Sequence, residues 1–211
     1  MLSHEACHMN RYIGIDVGEN KYFAVWYSKA DKTLEKMFCD NCNSLELYIK
    51  PTKQDIVAID APPRPGSSGN RREAERVLGI GGYYATPDKI GKVKPWMLSG
   101  FDLWEKLENI TRVIEVHPTI IFKRLENPKM ILFPNRWIGM RSPKTKREKA
   151  GRIQRRDILK RILPGKAAAI EEIKKIDYLD ALIAAYTAEQ VSTGNVDYYG
   201  NKVDGKICFP K

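Results

Sequence analysis

Short apolar runs in the chain predict a set of β-strands. Residues 11–17 (RYIGIDV) form a mostly apolar run, and residues 21–28 (KYFAVWYS) are rich in aromatic and β-branched side chains, so each predicts a strand. Residues 34–39 predict a third strand, and the three together indicate an antiparallel meander. Two later apolar runs, residues 56–61 (IVAIDA) and 112–116 (RVIEV), predict buried strands.

Apolar positions with helical spacing occupy most of the remaining chain. We predict helices over residues 44–50, 71–78, 96–107, 119–125, 145–163 and 178–191, and one more short strand over residues 207–209. Residues 62–70 and 127–143 have the composition of loops. Strands that come first and then alternate with helices are typical of a mixed α/β or α+β domain, so we expect one mixed β-sheet flanked by helices.

Length and composition favour a single globular domain. The chain has 211 residues, of which 43% are hydrophobic, and this is enough to bury a core. We expect residues 11–211 to form the domain and residues 1–10 to form a flexible extension. No apolar run approaches the roughly 20 residues that span a bilayer, and the N-terminus lacks the apolar core of a signal peptide. We therefore expect a cytoplasmic protein that does not associate with membranes.

The positive charge of the chain is concentrated in one segment. Lys and Arg number 36 against 26 Asp and Glu, and residues 136–161 hold 11 basic and 2 acidic residues, which is +9 of the total of +10. We expect residues 136–163 to form a basic helical segment that binds a polyanion, nucleic acid above all. Anionic lipid or an acidic protein matches the same composition, and many charged runs are only solvated helix faces. The candidate nucleic-acid-binding residues are Lys144, Lys146, Arg147, Lys149, Arg152, Arg155 and Arg156.

Five acidic residues stand in otherwise apolar elements. Asp16, Asp60 and Glu115 each lie at or near the carboxyl end of a predicted strand, where open α/β sheets form ligand crevices. Asp177 and Asp180 stand three residues apart at the start of the apolar helix, so they can share one face. Carboxylates that converge repel one another, and a divalent cation removes this repulsion. Oxygen ligands suit Mg²⁺ or Mn²⁺, and two such ions can support phosphodiester cleavage.

Three of these acids also have a purely structural explanation. Asp16 can shape the turn after its strand, Asp60 can orient the Ala-Pro-Pro loop, and Asp177 is placed to act as a helix N-cap. These explanations are the commoner ones for a single acid, and it is the shared placement of four acidic elements that favours a metal site. His117 is a candidate general acid or water-orienting group, with a histidine bonded to backbone at the strand end as the alternative.

The acidic motifs stand in an order that resembles a known group of nucleases. G-I-D-V-G on the first strand, an acid on a later strand and D-x-x-D-A-L at the start of a C-terminal helix resemble the RNase H-like nucleases. Residues 177–188 (DYLDALIAAYTA) are similar to the corresponding helix of the Holliday-junction resolvases. Closer still is the family of predicted nucleases called domain of unknown function 429, whose pattern is matched at residues 14–18, 58–62, 71–75, 114–118, 144–155 and 177–188.

The resemblance implies an RNase H-like fold and a two-metal nuclease that uses Mg²⁺ or Mn²⁺. In that group Asp16 binds both metals, while Asp60 and Asp180 each complete one site. Glu115 or Asp177 is an accessory ligand. Nucleic acid is the implied partner, and because junction resolvases act as dimers, a homodimer is an expectation here. Related nucleases often have Glu where this chain has Asp60, and the shorter acid changes the distance to a metal.

Three functions from different classes therefore compete. The leading hypothesis is a metal-dependent nuclease. The second is a nucleic-acid-binding module with degenerate metal chemistry, which the shorter acid at position 60 favours. The third is an ATPase of the actin-like superfamily, which shares the G-I-D-x-G loop, but the 211 residues hold no second copy of that motif.

Two further metal-binding motifs have weak support. Residues 4–8 (HEACH) match H-E-x-x-H, but they precede the first strand on no evident amphipathic helix, which disfavours a zinc protease. Cys39 and Cys42 form one C-x-x-C without a second such pair. We expect all four cysteines, including Cys7 and Cys208, to be free thiols.

Overall fold

The computed structural model describes residues 10–127, 131–133, 136–138, 146 and 148–211. Over these residues the chain forms a seven-stranded sheet and a separate two-stranded hairpin. The strands are β1 (Arg11–Gly18), β2 (Lys21–Ser28), β3 (Glu35–Cys39), β4 (Ile56–Asp60), β5 (Arg112–Glu115), β6 (Ile131–Phe133), β7 (Arg136–Ile138), β8 (Val196–Asn201) and β9 (Gly205–Pro210). The hairpin consists of β6 and β7.

The main sheet combines antiparallel and parallel pairing in the order β3-β2-β1-β4-β5-β9-β8. Short connections join β1, β2 and β3, so these strands pair antiparallel as a meander. β4 adds in parallel to β1, β5 to β4, and β9 to β5. Parallel neighbours require long crossovers, and the helices supply them. The mixed α/β class and the three-strand meander predicted from the sequence are confirmed.

Helices cover both faces of the sheet. In the described chain they are α1 (Cys42–Ile49), α2 (Glu73–Val77), α3 (Pro95–Leu107), α4 (Pro118–Glu126), α5 (Lys149–Ile162), α6 (Ala167–Glu171) and α7 (Ile176–Ser192). α1 and α3 pack on one face through a core that includes Ile15, Ile59 and Leu103. α7 packs on the other face, in contact with α4 and α5, and its core includes Leu182. None of the described helices combines the length and the apolar character needed to cross a membrane.

Gly14 in the middle of β1 allows α7 to approach the sheet closely. A Cβ atom on Gly14 would overlap the carbonyl oxygen of Ala181 and the amide nitrogen of Ala185. Asp180 directly precedes this contact on α7, and Asp16 lies two residues beyond Gly14 on the same face of β1. The close packing therefore brings the two carboxylates to the same end of the sheet.

Several elements differ from the sequence predictions. The loop predicted over residues 127–143 contains β6 and β7, and the basic helix begins at Lys149 instead of residue 145. The sequence does not predict α6 or β8, and β9 is longer than the predicted strand. β8 is the edge strand of the sheet and buries only Val196, so its apolar signal is weak.

Candidate functional site

Two carboxylates lie side by side at the carboxyl ends of β1 and β4. Asp16 and Asp60 are register partners in the parallel pairing of these strands. Register partners on neighbouring strands stand about 4.8 Å apart and project from the same face of the sheet. Both strands are apolar up to these positions because the sheet is covered on both faces, and the carboxylates come where the strands leave the core.

The start of α7 adds a third carboxylate at the same end of the sheet. Asp180 lies in the second turn of α7 and has no exposed surface. Asp177 lies in the first turn, where the helix dipole favours a negative charge. The N-cap residue of α7 is Lys175, so Asp177 does not occupy the N-cap position that its sequence context suggested.

These elements border a cleft of about 300 Å³. Its floor includes the ends of β1 and β4 and the residues that follow β5, and its side includes an aromatic group from the segment between α2 and α3. The described residues that line it include the sequence candidates Asp16, Asp60, Asp177, Glu115, His117 and Lys146, together with the ionisable residues Glu19, Arg72 and Glu75. The cleft therefore collects most of the acids that the sequence singled out.

Two cations hold the buried carboxylate of Asp180. Lys146 Nζ lies 3.1 Å from Asp180 Oδ2, and Arg155 Nη1 contacts Asp180 Oδ1. Arg155 is itself buried, with its guanidinium 4.5 Å from the centroid of the Phe122 ring, and its Nη2 donates to Thr119 Oγ1 at 3.3 Å. Both oxygens of Asp180 are thus ion-paired, and we call Lys146, Asp180 and Arg155 the Asp180 ion group.

The carboxylates of Asp16 and Asp60 are destabilised in their charged forms. Burial raises the pKa of Asp16 well above its ordinary value, and the charges of Asp180 and Asp60 raise it further. Burial also raises the pKa of Asp60 to about 7, with Asp180 adding to the rise and Lys146 opposing it. A cation placed between the two carboxylates would relieve this repulsion. The pair therefore has the electrostatic character of a metal-binding site.

Glu115 belongs to a different ion network. It pairs with Ile59, one position before Asp60, so its side chain leaves the opposite face of the sheet. Arg72 donates from Nη1 to Glu115 Oε2 at 2.8 Å and from Nη2 to the other oxygen, and Arg72 Nε lies 3.0 Å from Glu75 Oε1. Burial raises the pKa of Glu115, and Arg72 opposes that rise. The structure therefore does not bring Glu115 into the Asp16–Asp60 pair.

His117 lines the cleft as a neutral imidazole. It is the N-cap residue of α4, and its Nδ1 is buried without a hydrogen-bond partner among the described residues. Burial lowers the pKa of His117 to about 4, and the charges of Lys146 and Lys123 lower it further. Near pH 7 this imidazole can accept a hydrogen bond from water, but it lacks the second ring proton that a general acid would donate.

Four basic residues of the predicted segment are ion-paired with acids of the same chain. Lys146 and Arg155 bind Asp180, while Arg156 and Lys160 on α5 bind Glu171 at 3.2 and 2.9 Å. Lys149 is exposed at the start of α5 and Arg152 is partly exposed. The other sequence candidates, which are Lys144, Arg147 and residues 4–8, lie outside the described residues.

The donor atoms at the Asp16–Asp60 pair suit a divalent metal, although the described residues do not form a complete site. No group of three or more Asp, Glu, His or Cys residues in the described chain is arranged to hold a metal ion. Asp16 and Asp60 offer the carboxylate oxygens that Mg²⁺ and Mn²⁺ prefer. Asp180 can join them only by releasing Lys146. The three described cysteines, Cys39, Cys42 and Cys208, are free thiols.

Two groups of residues around the cleft escaped the sequence reasoning. The first is Arg72 with Glu75, which sits in a motif that matches the family pattern but has no role assigned there. An arginine in a short charged helix looks like a surface residue, and only its 1% exposure reveals the buried network. The second is the pair Tyr83 and Tyr84, which lies in a Gly-rich stretch. The adjacency of two aromatic residues is the one feature of that stretch that could have indicated a binding role.

Comparison with known proteins supports one family. Neither the curated proteins nor the solved structures contain a match to this chain. A family model described as protein of unknown function (DUF429) matches residues 99–204, which is half of the 211 residues and includes β5, α5 and all of α7. The chain therefore belongs to the DUF429 family.

Proposed function

We propose that this protein is a divalent-metal-dependent nuclease with an RNase H-like fold. The observation that carries the proposal is the register pairing of Asp16 with Asp60 at the ends of two parallel strands, beside Asp180 and in an open cleft. The meander of β1, β2 and β3, extended in parallel by β4 and β5, supports the fold assignment because it is the arrangement that the resemblance implies.

The residues of the cleft divide the chemical work. Asp16 and Asp60 would hold Mg²⁺ or Mn²⁺, with Asp177 beside them on the cleft wall. When bound, such an ion neutralises phosphate oxygens and lowers the pKa of water. Lys146 lines the cleft with its side chain 35% exposed, so it can pair with a substrate phosphate. The neutral imidazole of His117 can accept a hydrogen bond from water and orient it.

Nucleic acid is the partner that best matches the charge around this cleft. Lys146 brings the basic segment to the cleft itself, and Lys149 lies exposed three residues further along the chain. Cationic side chains next to a carboxylate pair are suited to hold a phosphodiester against a metal. Arg156 and Lys160 instead form ion pairs with Glu171, which join α5 to α6.

Cleavage assays with matched variants test this proposal. End-labelled single strands, duplexes, RNA–DNA hybrids and four-way junctions are incubated with Mg²⁺ or Mn²⁺ and with chelator. We expect divalent-dependent cleavage that falls more than about 100-fold in Asp16→Asn and Asp60→Asn, since even outer-shell partners of metal ligands cost about 10–100-fold. Asp102→Asn, an exposed aspartate on α3, is the control and should cleave normally. Equal cleavage by all four proteins would contradict the proposal.

The Asp180 ion group favours one alternative, a nucleic-acid-binding module without metal chemistry. Both oxygens of Asp180 are occupied by Lys146 and Arg155, so a cation of the chain already stands where a metal would be needed. This alternative predicts binding of oligonucleotides that needs no divalent metal, persists in Asp16→Asn and is followed by no cleavage. Loss of binding in Asp16→Asn would exclude it.

A further inference from the structure

One wall of the carboxylate cleft is aromatic. Tyr83, Tyr84 and Trp96 all line it, and we call these three residues the aromatic wall. The ring centroid of Tyr83 lies 5.6 Å from that of Tyr84 and 6.4 Å from that of Trp96, while Tyr84 lies 6.4 Å from the ring of His117. Tyr83 is 56% exposed and Tyr84 is 53% exposed. Exposed aromatic rings that adjoin one another beside a cleft are typical of a binding surface.

Buried hydrogen bonds hold the aromatic wall in position. Thr86, two residues after Tyr84, has no exposed surface, and its amide donates to Glu75 Oε2 at 2.8 Å while its hydroxyl donates to Oε1. The amide of Ile80 donates to the carbonyl of Glu75 at 2.8 Å. Both ends of the short segment that carries the tyrosines are therefore anchored to α2. A surface fixed in this way loses little conformational entropy when a ligand stacks on it.

The aromatic wall is also cationic. Lys94 Nζ lies 5.4 Å from the centroid of the Tyr83 ring. Residues 82–96 contain three lysines (Lys89, Lys92 and Lys94) and a single acid, Asp88, whose Oδ2 accepts a hydrogen bond from the amide of Gly69 at 2.8 Å. Aromatic rings next to lysines match a ligand that combines a flat base with a phosphate, whereas an apolar peptide would leave the lysines without partners.

We propose that the aromatic wall stacks an unpaired nucleobase, so that the substrate is a single-stranded or locally unpaired nucleic acid. This inference rests on the proposed function, because it places the phosphate next to the stacked base in reach of Asp16, Asp60 and Lys146 in the same cleft. A cavity of about 300 Å³ is at the lower end of the range for small-molecule pockets, and it is far too small to enclose a duplex. Stacking on tyrosine needs a free base face, which a paired base does not offer.

Binding assays in chelator separate this inference from catalysis. Fluorescence anisotropy measures the Kd of a labelled single-stranded DNA, a single-stranded RNA of the same sequence and the blunt DNA duplex. The proteins are the wild type, Tyr83→Ala/Tyr84→Ala, Tyr83→Phe/Tyr84→Phe, and Tyr48→Ala. Tyr48 is the matched control because it is 60% exposed on α1 and does not line the cleft. Circular dichroism and thermal unfolding verify that each variant is folded.

We expect the wild type to bind single strands more tightly than the duplex. The double alanine variant should bind the single strand at least about fivefold more weakly, because the loss of one stacked base lowers affinity by about fivefold or more. The double phenylalanine variant keeps both rings and should stay within about twofold of the wild type, as should Tyr48→Ala. The DNA and RNA arms show which single strand is preferred.

The outcomes distinguish this inference from the proposed function. Single-strand binding by the double alanine variant that equals that of the wild type, equal wild-type affinity for duplex and single strand, or no wild-type binding at all would each overturn the stacking inference. Ring-dependent binding without cleavage under any metal condition would support stacking and refute the nuclease. Cleavage that needs Asp16 but not the tyrosines would support the nuclease and refute stacking.

Discussion

Replacing Asp180 with asparagine should lower the stability of the protein, even though Asp180 lies beside two carboxylates that it repels. Asp180→Asn preserves the shape of the side chain and removes its charge. It leaves the guanidinium of Arg155, only 8% exposed, buried without its counter-ion. Breaking a buried ion pair by removing one partner costs about 3–5 kcal/mol.

Two effects offset part of this cost. The substitution relieves the repulsion by which Asp180 raises the pKa of Asp16 and Asp60. The asparagine oxygen also still accepts one hydrogen bond from Arg155. We therefore expect a net loss of about 2–3 kcal/mol. For a chain of this length each kcal/mol corresponds to about 2–4 °C in Tm, so Tm should fall by about 4–12 °C.

Urea unfolding in chelator, followed by circular dichroism and tryptophan fluorescence, measures these free energies. A double-mutant cycle with Arg155→Met gives a sharper test. The double variant Asp180→Asn/Arg155→Met should lose less free energy of unfolding than the two single variants lose in sum. Asp102→Asn is the control and should change the free energy of unfolding by less than about 0.5 kcal/mol. Stabilisation by Asp180→Asn, or strictly additive losses, would show that Asp180 acts as one of the repelling carboxylates and is not held by Arg155.

The remaining predictions concern the packing of α7 and the role of Lys146. Gly14→Ala should destabilise the fold by about 3 kcal/mol, because its Cβ overlaps the backbone of α7, whereas Gly91→Ala has open space and should be nearly neutral in the same urea assay. Lys146→Met should raise the affinity for Mg²⁺ about tenfold in titration calorimetry, since Lys146 competes for Asp180, and should weaken oligonucleotide binding. Lys149→Met, at a residue that does not line the cleft, is the control for metal affinity. Unchanged metal affinity in Lys146→Met would contradict this competition.

The strands of the meander could be predicted from the sequence because each is a compact apolar run with a clear end. β1, β2 and β3 lie within one residue of their predicted bounds. β8 could not, because an edge strand with a single buried residue has no clear apolar pattern. The apolar run over residues 178–191 correctly predicted α7. The contact of α7 with Gly14 depends on which strand faces the helix, and a sequence pattern does not carry that information.

Within the site, the predictions that depended on strand register could not be made from the sequence. The placement of Asp16 and Asp60 at the ends of parallel strands follows from a general rule for α/β sheets. Glu115 obeys the same rule, yet its pairing with Ile59 turns it to the other face, since a shift of one residue reverses the direction of a side chain. Sequence spacing alone does not reveal a register, so Glu115 and Asp60 look equivalent until the strands are paired.

Part of the positive charge between residues 136 and 161 is directed toward the acids of the cleft. Lys146 and Arg155 come from this segment, and they meet Asp180 across 34 and 25 residues of chain. Lys146 and Arg155 therefore form one electrostatic unit with Asp180, next to the carboxylates of Asp16 and Asp60. A metal bound at Asp16 and Asp60, as proposed, would weaken the hold of Asp180 on Lys146, and the released Lys146 would then be able to pair with a phosphate. Metal binding and substrate binding should consequently favour each other, through the same lysine that opposes the metal when no substrate is present.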